Sequence, residues 1–240
     1  MTLRRINLPG LLLCLVMLGA HDLSGQSDSA KGVDVHVKIE LPKTRPHAHA
    51  PPIVVWLKPL SDTPALPFLP DGHYTLLQKN RMFTPHLLVV PVGSEVHFPN
   101  ADPFFHNVFS LFNGKRFDLG LYEAGTTKQV LFSREGVSYI FCNIHPEMSA
   151  VIVVLSTPLY ATSGTDGTYS IRNVPPGDYE MNVWIEGLTQ PSLSRLKRRV
   201  EVSATNTDLG VVDARDSALQ SDRHLNKFGQ PYDEDSKPTY

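Results

Sequence analysis

Residues 139–148 read Y-I-F-C-N-I-H-P-E-M, and this stretch decides the fold and the chemistry of the chain. An apolar run leads into a short loop that carries Cys142, His145 and Met148 at C-x2-H-x2-M spacing. A thiolate, an imidazole and a thioether are soft ligands. Two histidines and one cysteine in a trigonal set, with a long axial methionine, are the arrangement of a blue copper centre. The loop therefore predicts a copper site that needs one more histidine.

His106 is the best candidate for that second histidine. It lies in D-P-F-F-H-N-V-F (102–109), at the start of a strand that follows a loop. In E-V-H-F, the residues on either side of His97 share the opposite face of a strand, so His97 points away from what they bury. His73 and His86 fall in turns without soft ligands nearby, and His36 occupies a solvent-facing strand position. His47 and His49 lie in a proline-rich loop and are expected to be solvated. The sequence thus predicts one copper ion bound by His106, Cys142, His145 and Met148.

The first 25 residues are predicted to be a secretory signal peptide. Arg4 and Arg5 precede the apolar run L-P-G-L-L-L-C-L-V-M-L-G-A, which is shorter than the roughly 20 residues of a membrane span. Cleavage is expected after Ala20 or Gly25, and Gly25 is favoured. The signal contains one of the two cysteines, so the exported protein keeps Cys142 alone. We expect a periplasmic or secreted protein without a transmembrane segment.

Composition narrows the class of protein further. The 240 residues include 22 Lys and Arg against 24 Asp and Glu, a net charge of −2, which offers no electrostatic footprint for nucleic acid. Hydrophobic residues make up 41% of the chain, enough to bury a core. The 20 prolines and 16 glycines favour many short strands over long helices. These features predict an all-β protein.

A family resemblance becomes visible across residues 74–157. The V-P-V-G turn (90–93), F-P-N-A-D (98–102), the His106 segment and the Cys142 loop follow one another in the order found in cupredoxins. The segment resembles plastocyanin-like and amicyanin-like modules in particular, and its short C-x2-H-x2-M loop has the amicyanin spacing. The resemblance implies a Greek-key β-sandwich with copper at the four predicted ligands.

The same resemblance implies roles for the neighbours of these ligands. Asn107 would fix the ligand loop and hydrogen-bond near the thiolate, and the ring edge of His145 would reach the surface and pass the electron. An apolar shell would exclude water and adjust the reduction potential. Its expected members are Phe104, Phe105, Phe141 and Ile144.

A second module is predicted on both sides of the cupredoxin-like segment. T-S-G-T-D-G-T-Y-S-I-R-N-V-P-P-G-D-Y-E-M-N-V-W-I (162–185) is similar to carboxypeptidase regulatory-like domains, which are transthyretin-like sandwiches with a carbohydrate-binding-like fold. Their opening strands resemble two strand-like runs near the start of this chain. Trp184 would either form an exposed stacking platform or pack against the neighbouring module. The predicted boundaries are 1–25 for the signal, 31–60 and 158–214 for a discontinuous regulatory-like sandwich, 74–157 for the cupredoxin domain and 215–240 for a disordered tail.

These features predict an exported carrier of single electrons, which exchanges them with a redox partner protein and turns over no substrate. Copper enzymes of related fold flank the copper-binding cysteine with a histidine, whereas Phe141 and Asn143 flank Cys142 here. Zinc is a weaker candidate because thioether ligation favours copper. The alternative is a protein that binds glycan or a partner, with copper held for structure or for copper handling.

Overall fold

The computed structural model describes residues 31–41, 50–60, 62–111, 114–162, 164–218 and 225–232. Within these residues the fold has eighteen strands and one seven-residue helix, so the predicted all-β class is confirmed. The predicted signal peptide lies outside the described residues, as do His47 and His49. No helix in the described part of the chain has the length and apolar character needed to cross a membrane.

The first nine strands are β1 (Val33–Glu40), β2 (Ile53–Pro59), β3 (Tyr74–Thr75), β4 (Leu77–Lys79), β5 (Met82–Thr84), β6 (Leu87–Pro91), β7 (Ser94–Pro99), β8 (His106–Ser110) and β9 (Phe117–Tyr122). Those that follow are β10 (Thr127–Phe132), β11 (Gly136–Cys142), β12 (Ser149–Leu155), β13 (Tyr160–Ala161), β14 (Gly164–Thr165), β15 (Thr168–Val174), β16 (Gly177–Ile185), β17 (Arg198–Val202) and β18 (Asp208–Asp213). Helix α1 (Gln190–Leu196) precedes β17, and Thr189 caps it by accepting from the Ser192 N–H.

Two four-stranded sheets combine strands from both ends of the described chain. One has the order β14-β15-β1-β18 and the other β13-β2-β16-β17. In β1 the alternation of apolar and polar residues buries Val35, Val37 and Ile39 and exposes the residues between them, as expected of a half-buried strand. These pairings support the predicted discontinuous sandwich, whose boundaries stay a prediction.

A five-stranded sheet, β6-β12-β11-β8-β9, faces a three-stranded sheet, β10-β7-β3. Between these two sheets lies a hydrophobic core cluster that includes Phe98, Phe132, Ile140 and Cys142. It is distinct from the cluster that the two four-stranded sheets bury. β11 pairs antiparallel with both β12 and β8. This pairing brings the end of β11 beside the start of β8.

Strand β12 has both faces buried and contributes to both cores. Val151, Val153 and Leu155 belong to the cluster shared with the two four-stranded sheets, whereas Ile152 and Val154 belong to the cluster around Cys142. A strand buried on both faces needs a continuous apolar run, which the sequence S-A-V-I-V-V-L supplies.

The five-stranded sheet also packs against the sheet that contains β16. Trp184 is 1% exposed, and its indole N–H donates to the Tyr139 hydroxyl at 3.1 Å. At the same junction the Lys58 ammonium pairs with the Glu135 carboxylate at 2.7 Å. The exposed-platform interpretation of Trp184 is therefore wrong, because the ring fills the space between the two sheets.

Residues 225–232 differ from the prediction of a disordered tail. They lie against the loop that follows β11, where Lys227 and Tyr232 bond to it. Composition alone misses this order, because it depends on hydrogen-bond partners about 90 residues earlier in the chain.

Candidate metal centre

Three predicted ligands meet in the core between the five-stranded and three-stranded sheets. The Nδ1 atoms of His106 and His145 are 3.1 Å apart, and the Cys142 Sγ atom lies 3.7 Å from the first and 3.5 Å from the second. These separations define a triangle whose circumradius is about 2.0 Å. Metal–nitrogen bonds are about 2.0–2.1 Å long and metal–sulfur bonds about 2.3 Å, so a metal ion fits within bonding distance of all three atoms.

The strand pairing explains why these residues meet. His106 is the first residue of β8 and Cys142 is the last residue of β11, and Cys142 pairs with Val108. Among the described residues, His106, Cys142 and His145 form the cluster whose ligand atoms all lie within 4.8 Å of one another, and all three are buried.

A tight turn after β11 returns the chain to β12 and carries His145 and Met148. The Met148 N–H donates to the His145 carbonyl at 3.0 Å, and the Cys142 N–H donates to the Met148 carbonyl at 3.3 Å. Met148 is 1% exposed and belongs to the same core cluster as Cys142. The structure thus brings the Met148 residue to the turn, and its role as fourth ligand stays a prediction.

Asp102 fixes the orientation of His106. Its Oδ2 accepts from the His106 Nε2 at 2.9 Å, which leaves the Nδ1 lone pair of that ring directed toward Cys142. A carboxylate behind a histidine ligand is the usual way in which proteins set the tautomer of a metal-binding imidazole. Asp102 is not among the residues predicted from the sequence, although its position four residues before His106 is a possible signal.

A hairpin turn holds Asp102 in place. Asn80 and Arg81 join β4 to β5 with φ values of 55° and 56°, as a type I′ turn requires. Their backbone N–H groups donate to the two carboxylate oxygens of Asp102 at 2.6 and 3.0 Å. Burial alone would raise the pKa of Asp102, but the hydrogen bonds from Arg81, His106 and Asn80 outweigh it and hold this pKa below its usual value.

Burial controls the protonation of the three clustered side chains. It lowers the pKa of His106, and together with the charge of His106 it lowers the pKa of His145 to about 4. Burial raises the pKa of the Cys142 thiol, against the opposing effect of the backbone N–H groups of Asn107, Ile144 and His145. At neutral pH both imidazoles are therefore neutral, and metal binding has only the thiol proton to displace.

The surroundings of the cluster match the predicted apolar shell in part. The Phe104 ring lies 5.3 Å from the His106 ring and 5.5 Å from the His145 ring, centroid to centroid. Ile144 packs against the same core, whereas Phe105 is 50% exposed and Phe141 packs against Phe109. The predicted shell is wrong for these last two side chains, because alternation along the strand turns Phe141 away from Cys142.

His145 also differs from the expectation drawn from the resemblance. The residue is 2% exposed, so its ring edge does not reach the surface. The ring is packed between His106 and Phe104. The predicted electron path through an exposed His145 edge is therefore wrong.

Asn107 connects β8 to the ligand loop. Its backbone carbonyl accepts from the Asn143 N–H at 3.0 Å, and its side-chain amide donates to Asp118 at 2.7 Å. Asp118, Lys227 and Tyr232 also surround the loop, and none of them is predicted from the sequence. No local pattern marks these residues, because their contacts join segments that are far apart in the chain.

Comparisons with known proteins give matches of two kinds, one to a polysaccharide lyase domain and one to cupredoxin structures. A family model described as "Polysaccharide lyase family 4, domain II" matches residues 159–209. The rhamnogalacturonate lyase of Dickeya dadantii (strain 3937) is 36% identical over 74 residues, an alignment that covers 28% of this chain. This chain spans only 13% of the length of that lyase.

Solved cupredoxin structures each match less than half of this chain. A purple cupredoxin from Nitrosopumilus maritimus is 26% identical, and the match covers 35% of this chain and 100% of that one with a TM-score of 0.32. A copper-containing nitrite reductase from Thermus scotoductus SA-01 is 26% identical. The match covers 41% of this chain and 25% of the reductase chain, with a TM-score of 0.33. A reduced Cu(I) form of an amicyanin mutant is 22% identical. The match covers 36% of this chain and 86% of the amicyanin chain, with a TM-score of 0.33. With TM-scores this low, the case for metal binding rests on the chain's own residues.

Proposed function

We propose that this protein carries single electrons on one copper ion held by His106, Cys142, His145 and Met148. The observation that supports it most directly is the triangle of two imidazole nitrogens and one sulfur, with a centre about 2.0 Å from each atom. Two nitrogens and one thiolate beside a buried methionine are the donor set of a type 1 copper site. Zinc would fit the same distances, and the thioether favours copper.

The residues around the site suit an electron carrier. Bound copper supplies a one-electron couple between Cu(I) and Cu(II). The chain contributes a fixed geometry, because His106 is held by Asp102 and the loop is closed by backbone hydrogen bonds. Burial keeps water away from Cys142 and His145, so little has to rearrange when the charge of the site changes.

Copper loading of the purified protein tests this proposal. We expect one copper per chain, an intense visible band from thiolate-to-copper charge transfer, and reversible reduction by a small-molecule donor. Cys142→Ser removes the thiolate and should abolish the band. His97→Gln is a matched control, since His97 pairs with Glu95 away from the cluster and should leave the band unchanged.

Met148→Leu tests the fourth ligand separately. The variant should still bind copper through three ligands, with a changed reduction potential, because the axial ligand tunes that potential. Absence of the visible band in copper-loaded wild-type protein would overturn the proposed function, and an unchanged potential in Met148→Leu would remove Met148 from the ligand set.

We also propose that the protein is exported and exchanges electrons with a redox partner protein outside the cytoplasm. The signal-like residues 1–25 and the single cysteine of the exported chain support this location. Fractionation of cells that express the full chain should place the shortened protein in the periplasm or the medium. Recovery of the full-length chain in the cytoplasm would contradict export.

Glycan binding is a second candidate function, favoured by the match of residues 159–209 to a polysaccharide lyase domain. An open depression of about 700 Å³ lies within and beside this range. Tyr160 and Arg172 line it together with hydroxyl side chains such as Thr168 and Ser170. An aromatic ring, hydroxyl groups and a guanidinium suit an acidic sugar, since arginine binds carboxylates through paired hydrogen bonds.

Calorimetry with rhamnogalacturonan and with neutral storage polysaccharides tests this second candidate. Binding that Arg172→Ala weakens and Arg134→Ala leaves unchanged would support it. If no polysaccharide gives a heat of binding, glycan binding is rejected and electron transfer remains the proposed function. We expect no release of sugar fragments in either case, and their release would show that the protein is an enzyme.

A further inference from the structure

The segment Leu225–Tyr232, which we call the strap, lies beside the loop that carries the proposed copper ligands. The Tyr232 hydroxyl donates to the backbone carbonyl of Cys142 at 2.9 Å. The Lys227 N–H donates to the Asn143 side chain at 3.0 Å. The Lys227 ammonium binds Asp118 at 2.9 Å. Three polar contacts thus join the strap to the cysteine, to its neighbour in sequence and to the adjacent strand β9.

The strap has a defined shape of its own. The Asn226 N–H donates to the Gln230 carbonyl at 2.8 Å, and the Gly229 N–H donates to the Asn226 carbonyl at 2.9 Å. The Asn226 side chain accepts from the N–H groups of Phe228 and Gln230 at 2.9 and 3.1 Å. Gly229 has a φ of +76°, the left-handed conformation that such a turn requires. A folded turn loses less conformational entropy on docking than an extended tail would.

The strap closes a circuit of hydrogen bonds around the cysteine. Asp118 accepts from Lys227 and from the side chain of Asn107, and the carbonyl of Asn107 accepts from the Asn143 N–H. Asn143 in turn accepts from the strap. Each member therefore holds two others, and an opening of the loop at Cys142 has to break several of these bonds together.

We propose that the strap is part of the metal site, with Tyr232 and Lys227 as positioning residues for the Cys142 loop. The Tyr232 hydroxyl bonds to the backbone carbonyl of Cys142. Lys227 bonds to Asn143 through its backbone N–H and to Asp118 through its ammonium group. Closure of the loop over the thiol needs no metal. Only the effect on bound copper rests on the proposed function.

The reactivity of the Cys142 thiol in the metal-free protein tests this proposal. The side chain is fully buried, so a water-soluble aromatic disulfide reagent reaches it only when the loop opens. Tyr232→Phe removes one hydrogen bond and should raise the reaction rate about three- to tenfold. A chain that ends at Ala218 lacks the whole strap and should react faster still. Gln230→Ala, an exposed residue of the same segment, is the matched control and should react like wild type.

A local role can be separated from a general loss of stability. Opening at the strap exposes little surface, so the reaction rate should depend only weakly on added urea, whereas reaction through global unfolding would depend on it steeply. Weak urea dependence together with faster reaction in Tyr232→Phe supports the strap as a positioning element. Rates within twofold of wild type in both Tyr232→Phe and the truncated chain would overturn it.

Copper release to a chelator gives the second measurement. If the charge-transfer band forms, Tyr232→Phe should release copper about three- to tenfold faster than wild type and Gln230→Ala at the wild-type rate. If Tyr232→Phe speeds the thiol reaction but leaves copper release unchanged, the strap holds the loop only in the metal-free protein. That result would overturn the proposal that the strap is part of the metal site. If the band does not form in wild type, the proposed function fails, and the thiol rates still decide whether the strap closes the loop.

Discussion

Asp102 determines which nitrogen of His106 faces the metal position. Its carboxylate is held by two backbone N–H groups and accepts from His106 Nε2, so the Nδ1 atom is left to bind. A neutral amide at this position would remove the charge that favours this tautomer. Asp102 would therefore affect a bound metal through His106.

Asp102→Asn should weaken copper binding about 10- to 100-fold, the usual cost of losing a partner behind a histidine ligand. Competition with a chelator of known affinity measures the change. Asp71→Asn is a suitable control, because Asp71 accepts from Tyr74 at an exposed position away from the cluster. An affinity within twofold of wild type would mean that the tautomer is set without Asp102.

The buried histidines should make the metal-free protein sensitive to acid. An unfolded histidine takes up a proton near pH 6.5, whereas the pKa of His145 in the folded protein is about 4 and that of His106 is also lowered. Between these values the unfolded state binds more protons, so stability falls as the pH falls. We expect a loss on the order of 1–3 kcal/mol between pH 6.5 and pH 4, measured by urea denaturation. His145→Gln should lose less over the same window, and an equal loss in that variant would assign the effect to other groups.

The candidate ligands could be predicted from the sequence because three of them share one short segment and the fourth follows a recognisable loop. Cys142, His145 and Met148 share one loop, and His106 begins a strand after a recognisable loop. Asp102 is held by the backbone of a hairpin turn at Asn80, more than twenty residues earlier. Such contacts depend on the folded chain, and no spacing rule encodes them.

At the scale of elements, β12 is the strand on which both cores depend. Its neighbouring residues Val153 and Val154 are buried in different clusters, and each is almost fully inaccessible to solvent. In a half-exposed strand such as β1, only every second side chain contributes to a core.

Val153→Ala and Val154→Ala should each destabilise the protein by about 1–3 kcal/mol, because each removes two methyl groups from a packed core. Lys38→Ala, on the exposed face of β1, should change the free energy of unfolding by less than about 0.5 kcal/mol. Urea denaturation of the three variants measures these differences. A cost at Val153 or Val154 no larger than at Lys38 would contradict burial on both faces.

The strands are easier to predict from the sequence than the elements that pack against them. Alternation in V-D-V-H-V-K-I-E predicts the half-buried β1, whereas the apolar run of β12 predicts a strand without showing that both of its faces are buried. The packing of Trp184 against Tyr139 was left open by the sequence, because alternation gives the face of a residue and not what covers that face. The ordered strap was missed because polar composition says nothing about a partner elsewhere in the chain.

At the scale of the whole molecule, strand β12 joins two cores that lie on opposite faces of the five-stranded sheet. Trp184 belongs to one cluster, and Cys142 belongs to the other. Loss of either core exposes one face of β12 and β11, which removes contacts from the other core as well. The described chain from Lys31 onward is therefore expected to unfold as one cooperative unit.

Thermal unfolding of the copper-loaded protein should show a single transition. Tryptophan fluorescence reports the cluster of Trp184, and the charge-transfer band reports the cluster of Cys142, so the two signals should change at the same temperature. Val153→Ala should lower both midpoints together. Two separate midpoints, or a shift of the fluorescence midpoint alone, would mean that the two cores fold independently.

The position of the strap along the polypeptide has a consequence for biogenesis. Tyr232 follows Cys142 by 90 positions, so the ribosome adds it long after the cysteine. If the strap acts as proposed, a prematurely terminated chain that folds without it would keep an accessible Cys142 thiol. A complete metal site would then require the complete polypeptide, and a protease that cleaves the strap would expose the Cys142 thiol again.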